Sequence, residues 1–266
     1  MTEQREALLT QLGFRFGING PHAARTMMLD DLRLVLANTP ENATRADYAA
    51  AILDHNLLGK QTRKSRELTL RHMATLYGLD LANPIFRVLR RLWLRNEAAQ
   101  PMLALAVALA RDPLLHSTQP IIQAQALGSH VPRERFESFF STTSPDRFSP
   151  ASLQSIAQNV GGTWTAAGLL QGRSRKIRTQ PEPQPESVAM LLFLGYLEGR
   201  TGQRLFSSDW LSLFGTSEDT LEAMASAASN RGLLVFMNAG GVKEVRFPDY
   251  LTPEENKVRQ EVSHVV

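Results

Sequence analysis

The chain has 266 residues, enough for a substantial core and for two small domains. It has no cysteine, which excludes disulfides, thiolate metal sites and cysteine nucleophiles, and which fits a reducing compartment. Its net charge of +3 conceals a division. Residues 1–181 carry 22 Lys and Arg against 14 Asp and Glu, a net of +8, and residues 182–266 carry 7 against 12, a net of −5, so an anionic partner would choose the first two-thirds.

The longest apolar run, Met102 to Ala110, covers about half of the ~20 residues that a membrane-spanning helix needs. The opening Met1-Thr2-Glu3-Gln4-Arg5-Glu6 is charged and lacks the apolar centre of a signal peptide. A cytoplasmic protein with no membrane partner is the expectation.

In chain order, Glu3 to Leu12 reads as a short helix, followed by a turn at Gly17 to Pro21 and an amphipathic helix from His22 to Ala37. Thr44, with Asp47 three residues on, caps a helix from Arg45 to His55. Asn56-Leu57-Leu58-Gly59 is a tight connection. Thr62 then caps a second helix that stops at Gly78. Pro84 opens a helix to about Asn96, and Pro101 one to Arg111. Pro113 and Pro120 punctuate the next stretch, and Pro132 to Phe140 is helical. Ser149-Pro150 starts a helix that runs through Gly161-Gly162 toward Ala167.

Gln171 to Arg178 has the composition of an extended, basic hairpin or wing. Gln180 to Pro185 carries three prolines at alternate positions, the pattern of a linker. The expected organisation is therefore a basic helical domain over 1–180, a Pro-rich linker over 181–185 and a smaller acidic, winged-helix-like domain over 186–266. Within the last, Glu186 to Gly199 is helical, Ser208 to Leu213 forms a short helix, and Thr216 to Asp219 opens a capped helix ending near Gly232. Leu233 to Met237 and Val242 to Phe247, joined by Asn238 to Gly241, are a hairpin. The predicted fold class is mainly α, a helical bundle with helix-turn-helix or winged-helix elements and small β-hairpin wings.

The sequence holds almost none of the patterns that carry catalysis. The chain has no glycine-rich loop leading into Lys-Ser or Lys-Thr and no paired histidines at helical spacing. Histidines 22, 55, 72, 116, 130 and 264 are scattered and read as surface or capping residues. No acid, base and nucleophile stand together in the sequence. The expectation is a non-enzyme without cofactor or metal.

The basic stretches are more informative. Between Lys60 and His72 stand five cations and one acid. On a 3.6-residue period Leu70, Met73, Leu76 and Tyr77 share one arc, and Arg63, Lys64, Glu67 and Arg71 another, with Lys60 leading in and Arg66 a misfit on the apolar side. Arg87, Arg90, Arg91 and Arg95 share a second helical arc opposite Ile85, Val88, Leu89, Leu92 and Trp93. Arg173, Arg175, Lys176 and Arg178 form a third cluster with no acid between Gly168 and Pro181. Each has a plain alternative, a solvated helix face for the first two and a flexible cationic linker for the third. Against it stands the need of a sugar–phosphate backbone for same-sign, exposed cations. Trp93, Trp164 and Trp210 lie among apolar positions and read as core rather than as base-stacking platforms.

Several segments stand in a familiar order: Asn56 to Lys60 leading into Thr62 to Arg66; Leu105 to Leu115; Ser149 to Leu153; Ala167 to Leu170; Arg231 to Leu234; and Glu244 to Pro248. In this order, over roughly residues 45–250, the chain resembles the BrxA family of bacterial BREX phage-defence systems. The resemblance implies a small, mainly helical, non-catalytic protein that binds nucleic acid and works with larger defence proteins. That family is regarded both as DNA-binding and as similar to an RNA-binding antitermination factor, and it offers no catalytic residue. The expected function is binding of nucleic acid, duplex DNA foremost, with a protein–protein adaptor and an RNA-binding factor as alternatives.

Overall fold

The computed structural model describes residues 2–265. Helix α1 (Glu3–Gln11) starts at Thr2, whose hydroxyl accepts from the Arg5 N–H, and ends in a turn at Gly13. The next helix begins later than its apolar period suggests. Pro21–Ala23 is a 3₁₀ turn, residues 24–28 are irregular, and α2 covers Leu29–Ala37. Two tertiary anchors override the local propensity. His22 is pinned in the interior by side-chain hydrogen bonds, and the Met27 N–H donates to Thr163 Oγ1 at 2.9 Å. Met28 then takes a left-handed backbone (φ 50°) that no helix accommodates.

Helix α3 (Arg45–Leu53) carries the Thr44–Asp47 capping box in both directions. Helix α4 (Arg63–Tyr77) is capped by Thr62, which accepts from the Ser65 N–H, and is stopped by Gly78 at φ 96°. The two pack along each other, yet residues 54–62 separate them. The expected tight turn at Asn56–Gly59 is there, with the Gly59 N–H donating to the Asn56 carbonyl at 2.8 Å, but the whole connection is longer than the three- or four-residue turn of a helix-turn-helix. Arg66, the misfit on the apolar side, has its reason here: its Nη1 donates to the Leu53 carbonyl at the end of α3, at 2.5 Å.

Helix α5 (Pro84–Trp93) begins on the Asn83 cap, and α6 (Gln100–Arg111) follows. Two short helices, α7 (Pro113–His116) and α8 (Gln119–Gln123), lead to α9 (Arg133–Thr143) and α10 (Pro150–Ala166). Strands β1 (Leu170–Gln171) and β2 (Ile177–Arg178) make the first antiparallel hairpin, Leu170 opposite Arg178. Helix α11 (Pro185–Leu197), the short α12 (Gln203–Phe206) and a 3₁₀ turn at Leu211–Phe214 precede α13 (Glu218–Asn230). Strands β3 (Val235–Ala239) and β4 (Val242–Arg246) pair antiparallel across Gly240-Gly241, and α14 (Pro253–His264) closes the described chain. The protein is thus mainly helical with two small hairpins.

Helices α6 and α11 explain how the rest assembles. Both lack a polar face: Met102 to Ala110 is wholly buried, and so is Val188 to Leu194. A helix apolar on every side must be surrounded, and α11 packs against α5, α6 and α13. One continuous hydrophobic cluster therefore runs from Leu8 to Val262. Residues 181–184 lie outside regular structure and lead into α11 at Pro185, and Pro181 and Pro185 are buried against the body. The division expected at 181–185 marks a change in surface charge and not a gap in the core. Helix α14 also ties the ends together, since it packs on α1. Arg5 donates to the carbonyls of Glu198, Val262 and Val265 at the ends of α11 and α14, where cations suit the helix dipoles.

Candidate nucleic-acid interface

The basic face of α4 is laid out by its ends. The first turn holds Arg63 and Lys64 and no acid. Cations at the N-terminus stand against the helix macrodipole, so their placement opposes helix stability locally. Lys64 and Arg71 are exposed and, among the described residues, make no ion pair; Arg63 is exposed and holds Glu67 at 3.1 Å, one turn on. A solvated pair of this kind contributes a few tenths of a kcal/mol at most and leaves the guanidinium free to exchange partners. Lys60 is committed more firmly, with Asp31 oxygens at 3.0 and 3.1 Å, both side chains half-buried.

Helix α4 also gains a neighbour that sequence order did not suggest. The 3₁₀ turn at Pro21–Ala23 packs on it and brings exposed Arg25 close to His72. Burial first, and then the nearby Arg25 and Arg71 cations, hold the His72 imidazole below its usual value. Clefts flank the helix on both sides. One of about 640 Å³ is lined by Arg25, Arg33 and Lys60 with Asp30 and Asp31, and one of about 570 Å³ by Arg45, Arg71 and Arg111 with Glu67 and Asp80. Arg111 is itself structural. It is buried and donates to the carbonyls of Gly13, Thr75 and Leu76 at the end of α4. Burial, with Arg15 beside it, brings its guanidinium down to about 10.

The second cluster divides. Arg95 is exposed. Arg91 lies over the Tyr250 ring, 4.7 Å from its centroid. Arg87 joins α5 to the start of α14, pairing with Glu255 and donating to the carbonyls of Leu81 and Tyr250. Arg90 is buried, against the expectation of an exposed arc, and donates to the Thr39 carbonyl at 2.5 Å. Four arginines within one arc do not all fit on the surface, because α5 is covered on most sides by α6, α11 and the chain before α3.

The third cluster divides along the hairpin. Arg173 and Arg175 project at its exposed tip, where Gly172 at φ 105° makes the turn; a Cβ there would come within 2.2 Å of the Arg175 carbonyl oxygen. Lys176 folds back, its Nζ donating to Thr165 Oγ1 at 2.7 Å. Arg178 is buried and braces the hairpin against the carbonyls of Ile122, Leu169 and Thr179. Backbone oxygens already occupy the Arg178 guanidinium in the interior, and Arg90 is buried too, which corrects the place of both on an exposed basic surface. The expected set therefore resolves into an exposed group, Arg63, Lys64, Arg71, Arg95, Arg173 and Arg175, and a bracing group, Lys60, Arg87, Arg90, Arg91, Lys176 and Arg178.

Helix α13 followed by β3 and β4 has the helix-then-hairpin order of a winged helix, but its charge is the reverse of a DNA reader's. Glu218, Asp219 and Glu222 occupy α13, and of the two cations of the hairpin Lys243 is drawn into ion pairs with Glu218 and Glu222 and Arg246 pairs with Glu244.

One polar constellation escaped the sequence. His22 Nδ1 lies 2.7 Å from Asp112 Oδ2, and His22 Nε2 lies 2.8 Å from Thr163 Oγ1, all three residues fully buried. The order carboxylate, imidazole, hydroxyl is that of a nucleophile relay. Its hydroxyl, however, accepts from the Met27 N–H and has no exposed surface, so no substrate carbonyl or phosphorus could meet it. The Asp112 carboxylate is fully used, accepting from the His22 backbone and ring and from the N–H groups of Leu114 and Leu115. The arrangement clamps the turn at 21–23 to α7 and α10. Gly20 permits the approach, since a Cβ there would fall within 1.8 Å of Asp112 Oδ1. Residues 22, 112 and 163 are too far apart in sequence for any local pattern to unite them. The one signal was Asp112 before Pro113, an N-cap.

Among the described residues no group of three or more His, Asp or Glu could hold a metal ion, and no helix is long and apolar enough to cross a membrane. No protein-family model matches the chain, and no curated protein matches it significantly.

Proposed function

We propose that the protein is a non-catalytic nucleic-acid-binding component of a bacterial phage-defence system, with duplex DNA as the preferred ligand. The observation that carries this reading is the first turn of α4, where Arg63 and Lys64 stand without an acid and against the helix dipole, with exposed Arg71 and Arg25 on the same element or packed beside it. A stability preference given up at a helix end is compensated when an anion arrives there, because the free N–H groups and the cations then act together. Arg173 and Arg175 at the hairpin tip add contacts of the same sign. All of these are phosphate contacts. They position a duplex without reading its bases. The resemblance to the BrxA family supports the defence context.

The test is the salt dependence of duplex affinity, which should fall linearly on a log–log plot with a slope of several units, about 0.9 per neutralised phosphate. Binding that ignores salt, or that favours single-stranded RNA, would overturn the preference for duplex DNA.

A second reading, an adaptor that holds another protein, draws on the acidic surface of α13 at Glu218, Asp219 and Glu222. It complements the first, since an acidic surface repels DNA and leaves that region free for a basic partner.

A further inference from the structure

Arg90 lacks what a buried charge ordinarily requires. It is 2% exposed, and only its Nη2 is satisfied, at the Thr39 carbonyl. Among the described residues its Nε and Nη1 have no hydrogen-bond partner of good geometry, and the buried Tyr48 hydroxyl stands beside it. A guanidinium cannot escape by losing its proton, since its pKa stays far above neutrality. A buried, permanently charged group with unused donors calls for an anion.

The surroundings supply the room and the sign. Arg90 lines a cleft of about 470 Å³ together with Arg87, Arg91, Arg95, Asn42 and Glu41. The arginines recur at three- and four-residue steps of α5, which sets them along one side of the helix. Arg87 is neutralised by Glu255, but Arg90, Arg91 and Arg95 face a single lining carboxylate, Glu41, so the cleft is net positive. Arginine rather than lysine suits an anion with several oxygens, because its planar fork can donate to two at once.

We propose that this cleft is a discrete site for a phosphate group, with Arg90 at its buried wall and Arg91 and Arg95 supplying the outer donors. The site does not depend on the α4 surface. A free phosphate and a phosphate at the end of a nucleic-acid strand share this chemistry, and the experiment separates them.

Thermal unfolding of the intact protein is followed in sodium phosphate and in sodium chloride at equal ionic strength. Phosphate should raise Tm saturably, by about 5 °C at a hundredfold excess over Kd. Arg90→Gln should abolish that rise. Arg95→Ala, an exposed change that leaves Tm in chloride unaltered, should reduce the apparent phosphate affinity about tenfold. Should Arg90→Gln fail to fold, Arg95→Ala carries the test alone. Equal effects of phosphate and chloride on the wild type, or an undiminished phosphate response in the variants, would overturn the proposal. Given the phosphate response, competition by 5′-phosphorylated and 5′-hydroxyl oligonucleotides of one sequence names the source. At least tenfold preference for the phosphorylated strand assigns a terminal phosphate, and equal competition assigns the free ion.

Discussion

His22 and Asp112, ninety positions apart, meet in the interior with Nδ1 and Oδ2 at 2.7 Å and neither side chain exposed. Burial pushes the Asp112 carboxyl upward, but the hydrogen bonds from the His22 ring and backbone and from Leu115 outweigh it and hold the group below its ordinary value. With Asp112 ionised, the His22 Nδ1–H donates to it, and Nε2 lies 2.8 Å from the Thr163 hydroxyl. The pair thus joins the turn at 21–23, the end of α6 and the last turn of α10 in a fully satisfied network. The direction of the Asp112 shift fixes its pH dependence. The stabilisation is complete above the ordinary carboxylate range, near pH 4, and is lost as pH falls through the lower, folded value. Asp112→Asn should lower stability at neutral pH by about 3 kcal/mol and flatten the acid limb of the stability–pH curve. An unchanged acid limb, measured by denaturant unfolding between pH 2 and 7, would remove Asp112 from this role.

Arg178 separates bracing from binding. Arg178→Ala strands the carbonyls of Ile122, Leu169 and Thr179 and should destabilise the protein by about 2 kcal/mol. Arg173→Ala with Arg175→Ala, at the exposed tip of the same hairpin, should change Tm by less than about 2 °C while weakening DNA binding. The opposite pattern, with stability lost at the tip and binding lost at Arg178, would contradict the division drawn between the exposed and bracing groups.

The chain should not divide at its prolines. A fragment comprising residues 1–181 lacks α11, whose Val188 to Leu194 is buried against α5 and α6. It should therefore lack a cooperative unfolding transition by calorimetry, and Leu191→Ala in the intact chain should cost about 2–5 kcal/mol. A fragment that melts cooperatively near the Tm of the whole protein would support the two-domain organisation read from the prolines.

Most of the helices were legible because their signals are local. Thr44 with Asp47, Thr62 and Ser149-Pro150 each carry a cap within four residues, and the second hairpin is punctuated by two glycines at positive φ. Helix α14 has a signal of the same local kind in Thr252, Pro253 and Glu255, although the expected elements stop at the second hairpin. What was hidden lies in long-range contacts. Nothing near His22 says that it meets Asp112, so the helix expected from residue 22 begins at Leu29. Likewise the period that puts Arg87, Arg90, Arg91 and Arg95 on one arc cannot say that Thr39 lies across from Arg90 or Glu255 from Arg87. For the candidate interface, sequence identified which stretches are basic, and only packing distinguished free cations from those already donating to backbone oxygens.

The α14 cap gives a small, independent check on the closure of the two chain ends. Thr252→Ala removes the acceptor for the Glu255 N–H and should cost about 1 kcal/mol. Arg5→Ala, which frees the carbonyls at the ends of α11 and α14, should cost more, about 2 kcal/mol. Urea unfolding that left both variants at the wild-type midpoint would show that α14 contributes nothing to the fold.

Duplex-DNA affinity measured across a salt series, for the wild type and for Arg63→Ala, Lys64→Ala and Arg71→Ala combined, bears most directly on the role of α4. The wild type should show a log–log slope of several units. The triple variant, with exposed side chains removed and Tm nearly unchanged, should lose most of its affinity and about three units of slope, one for each phosphate contact. A variant that binds with the wild-type affinity and slope would show that the basic face of α4 does not touch DNA.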